Sequence, residues 1–264
     1  MNVLTEIIGR KRERVAEAKE RVPLDEVRRV SKPHALRAAL RTEGMNIIAE
    51  FKRRSPSKGV IRADANLKEI VQSYEAGGAV GISVLTEEDY FDGSLDDLRT
   101  VKTTVDLPVL RKDFVFDEYQ VYESAAARAD AILLIVAALD DEMLSRLRRV
   151  AEDELGMDAL VEVHTSEEMK RAIASGATLI GVNNRDLRTF EVSLNTSLSL
   201  AREAPSEALL ISESGLRGPD DLRRLREAGY HGFLIGETLM RAGNPEDALR
   251  NFVGAALRGR PSLK

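Results

Sequence analysis

The sequence predicts a (β/α)8 barrel with an N-terminal helical extension. After residue 45, eight short apolar runs alternate with segments of helical periodicity. The runs are continuously apolar, as expected for parallel strands that are covered on both faces. Eight strand-then-helix units are typical of this barrel. The alternative is a doubly wound open sheet, which usually has fewer strands, and no G-x-G-x-x-G follows the first run.

The N-terminal extension is predicted over residues 1–45. Leu4, Ile7, Ile8, Val15 and Ala18 recur at helical spacing with charged residues between them, which indicates an amphipathic helix. The stretch KPHALRAAL predicts a second, shorter helical piece. We expect residues 1–264 to form a single barrel domain that includes this extension.

The elements of the barrel follow in order. The predicted strands are NIIAEF, GISVLT, LPVLRKDF, AILLIVAA, DALVEVH, TLIGVNN, ALLISESG and HGFLIGE. The helical segments between them include LKEIVQSYEAGGA, DEYQVYESAAARA, DEMLSRLRRVAEDE, SEEMKRAIASGA and PDDLRRLREAGY, several of which end in the glycine that commonly stops a helix.

Composition excludes several classes of function. The net charge of −5 lacks the basic footprint of a nucleic-acid-binding protein. The chain has no cysteine, which excludes disulfides and thiolate chemistry. No apolar run is long enough to span a membrane, and the N-terminus lacks the apolar core of a signal peptide. We therefore expect a cytoplasmic protein without a membrane or nucleic-acid partner, as a monomer or weak homo-oligomer.

Polar residues gather where the predicted strands end, which is the face that carries the active site in these barrels. Cations and carboxylates together suit acid–base chemistry, because a barrel interior can separate their pKa values. No cluster suggests a metal site, and no G-x-S-x-G motif suggests a serine nucleophile. His164 is interpreted as structural. The strand-end residues are Glu50, Lys52, Lys112, Glu162, Asn183, Arg185 and Glu213.

The loops after the seventh and eighth strands indicate a phosphate site. Both contain glycine, which lets backbone N–H groups approach an anion closely. Ser214 and Gly215 lie in the first of these loops, and Gly236 lies in the second. Ser55, in the stretch SPSKG after the first strand, adds a further donor.

Seven stretches together resemble the indole-3-glycerol phosphate synthase family. They are IIAEFKRRSPSKG, VLTEEDYFDGS, PVLRKDF, VEVH, GVNNRDL, ISESG and FLIGETLMR, and the likeness runs from about residue 3 to 257. The resemblance implies a reaction of tryptophan biosynthesis on 1-(2-carboxyphenylamino)-1-deoxyribulose 5-phosphate. The enzyme closes the indole ring and releases CO2 and water, without a cofactor or metal.

The resemblance also implies roles for individual residues. Lys112 matches the general acid and Glu162 the general base. Lys52 matches the residue that holds the substrate carboxylate and serves as an acid in dehydration. Glu50 is implied to orient the ribulose hydroxyls or to help remove a proton. The substrate-binding positions are Asn183, Arg185 and Glu213, with an apolar slot at Phe91, Phe114, Leu133 and Leu187.

Phosphate binding is implied at Ser55, Ser214, Gly215, Gly236 and Glu237. A carboxylate beside a phosphate would be repelled, so we expect the Glu237 side chain to turn away and its N–H to face the anion. The sequence does not decide whether Arg53 contacts the substrate or forms an ion pair on the rim.

Two alternatives to this function are kept. A phosphoribosylanthranilate isomerase has the same phosphate-binding barrel but is expected to carry a catalytic cysteine and an aspartate, where this chain has Glu50 and Glu162. A non-catalytic barrel scaffold is expected to have lost Lys52, Lys112 or Glu162, and all three are present.

Overall fold

Eight parallel strands close into a barrel in the computed structural model, which describes residues 3–22, 33–186 and 189–254. Neighbours in the chain are neighbours in the ring, and the first strand closes it by pairing with both the second and the eighth. The predicted barrel is therefore confirmed, and the open sheet is wrong. The strands are β1 (Asn46–Phe51), β2 (Gly81–Leu85), β3 (Val109–Lys112), β4 (Ala131–Ile135), β5 (Asp158–Val163), β6 (Leu179–Asn183), β7 (Leu209–Glu213) and β8 (Gly232–Ile235).

Helices surround the barrel and precede it. They are α1 (Val3–Arg21), α2 (Ala35–Leu40), α3 (Leu67–Ala76), α4 (Leu95–Thr104), α5 (Glu118–Ala126), α6 (Asp141–Arg149), α7 (Ser166–Ala174), α8 (Asn195–Leu200), α9 (Pro219–Glu227), α10 (Glu237–Met240) and α11 (Pro245–Val253). The predicted helix over 141–154 changes to a π-helical turn at Val150–Glu154. Within the described ranges, no helix is both long and apolar enough to cross a membrane. That the chain is a single domain stays a prediction.

The inward faces of the strands position the site. Successive side chains of a strand alternate between its two faces. Ile48, Leu110, Leu160 and Ile211 fill the barrel interior and are fully buried. Two residues further along each of these strands, the same inward face carries a polar residue at the carboxyl end, namely Glu50, Lys112, Glu162 and Glu213.

The second helix of the extension closes the amino end of the barrel. Leu36 and Leu40 of α2 are buried and belong to the same apolar cluster as the barrel interior. Leu36 lies against Gly81, and Leu40 lies against Gly232, at positions where a Cβ atom would clash. The glycines at the start of β2 and β8 therefore leave room for the side chains of Leu36 and Leu40.

The first helix of the extension lies at the opposite end of the barrel. Lys11 of α1 is only 3% exposed and forms ion pairs with Glu88 at 2.8 Å and Asp113 at 2.9 Å. Asp113 also accepts hydrogen bonds from Arg111 and Thr86. Burial alone would raise the pKa of Asp113, but Lys11 and Arg111 outweigh it and lower that pKa. Helix α1 is thus bound through a buried charge network to the end of β3.

We predict that Lys11→Ala lowers the free energy of unfolding by about 3 kcal/mol, because it removes one partner from a buried charge network. Equilibrium urea unfolding measures this change. The matched control is Arg14→Ala on the same helix, which removes an exposed ion pair with Asp89 and is expected to cost less than about 1 kcal/mol. Equal losses for the two variants would contradict the prediction.

Candidate active site

A cavity of about 580 Å³ opens at the carboxyl ends of the strands. Every candidate residue from the sequence that the structure describes lines this cavity, whereas Leu187 lies outside the described residues. The cavity is an open cleft of a size that usually binds a small molecule. Its location is the one from which these barrels act on their substrates.

Lys112 lies at the centre of the floor among carboxylates. Its Nζ atom is 3.2 Å from Oε2 of Glu162 and 3.5 Å from Oε2 of Glu213. Burial by itself would lower the pKa of Lys112, but Glu162, Glu213 and Glu50 raise it above its ordinary value. Lys112 is therefore a charged ammonium at neutral pH, with three donors that can reach a bound substrate.

A second pair lies beside the first. Nζ of Lys52 donates to Oε1 of Glu50 at 2.6 Å. Glu50 is 4% exposed, whereas Lys52 extends further towards the mouth of the cavity and is 17% exposed on its side chain. Lys52 can therefore contact a ligand while its hydrogen bond to the more deeply buried Glu50 fixes its position.

Glu213 is the carboxyl group of this centre that carries a proton. Three carboxylates, Glu50, Glu162 and Glu213, face two lysines, so the cluster holds one carboxyl group in excess. Burial, followed by repulsion from Glu162 and Glu50, raises the pKa of Glu213 to about 8 in spite of the nearby Lys112. A protonated carboxyl group can donate a hydrogen bond, which relieves the repulsion.

Glu162 is held in the opposite state. Burial would raise its pKa, but Lys112, His164 and Asn183 together lower it. Its Oε1 atom lies 3.4 Å from Nε2 of His164, and its Oε2 atom faces Lys112. Glu162 is therefore ionised at neutral pH and able to accept a proton, as a general base must.

Two glycines make space for these carboxylates. A Cβ atom at Gly181 would clash with Oε1 of Glu213, and one at Gly236 would clash with Oε1 of Glu50. Gly181 pairs in register with Glu162 on the neighbouring strand. Sequence analysis missed Gly181, although a glycine inside a strand often marks the close approach of another group.

An apolar wall covers the part of the cavity next to β2, β3 and β4. The rings of Phe91 and Phe114 pack with their centroids 6.2 Å apart, and Leu133 lies beside them at the end of the barrel core. Helix α1 completes this wall with Leu4 and Ile7. These two residues were missed as site residues, because nothing local in the extension shows which part of the barrel it will touch.

The loops after β7 and β8 lie across the ring from the apolar wall. Ser214 and Gly215 adopt left-handed backbone conformations, with φ of 68° and 78°. A Cβ atom at Gly215 would also clash with Val192, so the loop requires glycine there. The side chain of Glu237 forms an ion pair with Arg241 at 3.1 Å. Three cations that were not predicted as site residues also line the cavity, namely Lys58 after β1, Arg217 after β7 and Arg241 after β8.

Two further cations, Arg53 after β1 and Arg185 after β6, are bound to protein groups. Arg53 binds Asp97 through two nitrogen atoms, at 2.6 and 2.9 Å, and its guanidinium lies 4.8 Å from the ring centroid of Phe51. Of the two roles expected for Arg53, the structure therefore shows the ion pair on the rim. Arg185 donates to the carbonyl of Phe190 at 3.4 Å and still lines the cavity.

The donor set of the cavity suits organic acid–base chemistry. Across residues 3–22, 33–186 and 189–254, no group of three histidine, aspartate or glutamate side chains is arranged to hold a metal ion.

Comparison with known proteins identifies the family. A family model described as indole-3-glycerol phosphate synthase matches residues 4–252. The chain belongs to the indole-3-glycerol phosphate synthase family. A relative of that name from Bacteroides thetaiotaomicron is 45% identical over 258 residues, covering 96% of this chain and 98% of the relative. Another, from Carboxydothermus hydrogenoformans, is 46% identical over 260 residues, covering 93% and 97%.

Solved structures support the fold of this synthase family member. KGPDC from Streptococcus mutans superposes with a TM-score of 0.60 at 18% identity, covering 82% of this chain and 99% of that one. Thiamine phosphate pyrophosphorylase from Pyrococcus furiosus also gives a TM-score of 0.60, at 16% identity, covering 84% and 98%. At such low identity the likeness concerns the barrel alone.

We predict a pH-dependent gain in stability for Glu213→Gln. The pKa of Glu213 is about 8 in the folded protein and near about 4.3 in an unfolded chain. Between these values the folded protein keeps a proton that the unfolded chain releases, so the wild type loses stability as pH rises through that window. Between about pH 5 and pH 9, the free energy of unfolding of the variant should therefore rise relative to that of the wild type. The expected rise is at least about 1.4 kcal/mol, which is the free energy that corresponds to a pKa shift of one unit.

The matched control is Asp89→Asn, measured by the same urea titrations. Because the hydrogen bond from Arg14 lowers the pKa of Asp89, its titration lies below that window, and the difference from wild type should stay constant across it. A constant difference for Glu213→Gln as well would mean that Glu213 is ionised throughout.

Proposed function

We propose that this chain closes the indole ring of 1-(2-carboxyphenylamino)-1-deoxyribulose 5-phosphate, with loss of CO2 and water, to form indole-3-glycerol phosphate in tryptophan biosynthesis. The observation that carries the proposal is the pairing of a charged Lys112 with an ionised Glu162 on the floor of the cavity, 3.2 Å apart. An acid and a base held side by side are what a reaction with successive proton transfers requires.

The cavity accommodates the three parts of this substrate in separate places. The aromatic ring lies against Phe91, Phe114 and Leu133. The phosphate lies at the opposite side, where Ser55, Ser214, Gly215, Gly236 and the N–H of Glu237 bind it and nearby cations balance its charge. The substrate carboxylate faces Lys52, whose side chain lines the cavity and is 17% exposed. Such placement presses the two reacting carbons together, which removes much of the entropic cost of ring closure.

Ring closure uses Lys112 as the general acid. As the ring carbon attacks the ribulose carbonyl, the electron pair of the C=O bond moves to oxygen, and Lys112 delivers a proton to it. The raised pKa of Lys112 does not prevent this step, because the developing alkoxide is a much stronger base than an amine. The C–CO2 bond then breaks, and its electrons restore the aromatic ring.

Dehydration uses the second pair of groups. Lys52 protonates the leaving hydroxyl, which departs as water, and Glu162 takes the proton that the new ring loses. Glu50 orients the ribulose hydroxyls and holds Lys52. Asn183, Arg185 and the protonated Glu213 position the substrate around this centre.

We also propose a cellular location, an oligomeric state and a set of partners for this chain. We expect the chain to work in the cytoplasm as a monomer or weak homo-oligomer, on a phosphorylated small molecule, without a cofactor, metal, membrane or nucleic-acid partner. The acidic net charge of −5 supports the last expectation.

The test of the function is the fluorescence of purified protein mixed with the substrate and EDTA, because the indole product fluoresces and the chain contains no tryptophan. A steady rise supports the synthase. We predict that Lys112→Met lowers kcat by about 10²–10⁴-fold with little change in KM, as expected for loss of a general acid.

A contrasting variant separates chemistry from binding. Lys58→Met removes a cation at the phosphate end of the cavity and should raise KM more than it lowers kcat. Binding of substrate without any fluorescence rise in the wild type would instead favour the non-catalytic scaffold.

A further inference from the structure

His164 stands directly behind the proposed general base. It does not line the cavity, yet its Nε2 atom is 3.4 Å from Oε1 of Glu162, the oxygen that Lys112 does not bind. The imidazole is nearly buried, with its side chain 10% exposed. Nε2 is fully buried without a hydrogen-bond partner at this distance. A buried polar atom in that state calls for an explanation.

Glu168 fixes the other side of the ring. Oε2 of Glu168 accepts from the backbone N–H of His164 at 2.7 Å and lies 3.2 Å from Nδ1. Because an ionised carboxylate only accepts hydrogen bonds, Nδ1 carries a hydrogen. A neutral ring would then turn the lone pair of Nε2 towards the carboxylate of Glu162, which is repulsive. A charged ring turns an N–H towards it.

The charges around His164 favour the charged ring. Burial would lower its pKa, but the hydrogen bond that it donates to Glu168 and the charges of Glu168 and Glu162 raise it. Glu162 lies on the same strand β5 and Glu168 on helix α7, and the protonated Glu213 lies on strand β7. Lys112 on β3 faces Glu162 from the cavity.

Capping of helix α7 does not account for this arrangement. The side chain of Thr165 caps that helix by accepting from the N–H of Glu168. Glu168 in turn accepts from the backbone of His164, which any residue at that position could supply. The direction of Nε2 towards Glu162 remains without a role in capping the helix.

We propose that His164 is a positioning residue for Glu162: its imidazolium, anchored by Glu168, holds the buried carboxylate in one orientation and in its ionised form. This inference rests on the proposed function of Glu162 as the general base. Lys112 and His164 then hold one oxygen of Glu162 each. When Glu162 has accepted a proton from the substrate, the imidazolium favours release of that proton and return to the starting state.

The test compares three glutamine variants by their kinetics across pH. His164→Gln removes the charge behind Glu162, and Glu168→Gln removes its anchor. His231→Gln is the matched control, since His231 is a half-buried histidine at the start of β8, far from the carboxyl ends of the strands. For each variant, kcat, KM and the pH profile of kcat/KM are measured by indole fluorescence.

We expect His164→Gln to move the acidic limb of the profile to higher pH by about one unit, because loss of a nearby opposite charge raises a carboxyl pKa by roughly that amount or more. KM should stay near the wild-type value, because His164 does not line the cavity. Glu168→Gln should move the limb in the same direction by less, and His231→Gln should not move it. His164→Lys, which restores a positive charge, should return the limb towards its original position.

If the acidic limb of the kcat/KM profile of His164→Gln lies at the same pH as in the wild type, and only the amount of active protein falls, the inference is overturned. His164 would then have a purely structural role. If that variant does not fold, the limb of Glu168→Gln decides in the same way. A wild type that binds substrate but forms no indole would instead refute the proposed function, which is a separate outcome.

Discussion

The active site depends on one electrostatic constraint, the placement of the Lys112 ammonium among three carboxylates at the closed end of a cavity. A buried ammonium is unfavourable without compensation, and so is each buried carboxylate. Lys112 compensates for Glu162 at 3.2 Å, and Lys52 compensates for Glu50 at 2.6 Å. The third carboxyl group, Glu213, shares Lys112 with Glu162 at 3.5 Å, and burial raises its pKa to about 8, so that it carries a proton at neutral pH. The same cluster therefore contains a charged acid, an ionised base and a neutral hydrogen-bond donor.

The barrel provides the geometry that this cluster requires. Parallel strands bring residues from distant parts of the chain to one ring, with the inward position at each carboxyl end facing its neighbours. Glycines at 181 and 236 leave room for the carboxylates of adjacent strands. On β3, Lys112 is followed at once by Asp113, whose buried ion pairs with Arg111 and Lys11 fix the end of that strand. The residue with the central charge thus stands on a strand end that cannot shift freely.

The N-terminal extension packs against both ends of the barrel and contributes residues to each. Helix α2 covers the amino end with Leu36 and Leu40, which are buried in the inner core below the site. Helix α1 reaches the carboxyl end, where Leu4 and Ile7 extend the apolar wall and Lys11 joins the charge network of β3. The low dielectric that results strengthens each of the ionic interactions in the cavity.

The sequence by itself determined the fold class, the eight strands and about half of the residues that line the cavity. These features are local: continuous apolar runs predict buried parallel strands, and a polar residue at a strand end needs only the periodicity of that strand to be placed on the rim. Only the tertiary structure decided the pairings. Arg53 binds Asp97, 44 residues away, and Lys11 of helix α1 binds Asp113 at the end of β3. The direction of His164 and the protonation of Glu213 also depend on neighbours from other strands. Through-space distances and shared burial arise only when the barrel closes, so no local pattern in the chain carries them.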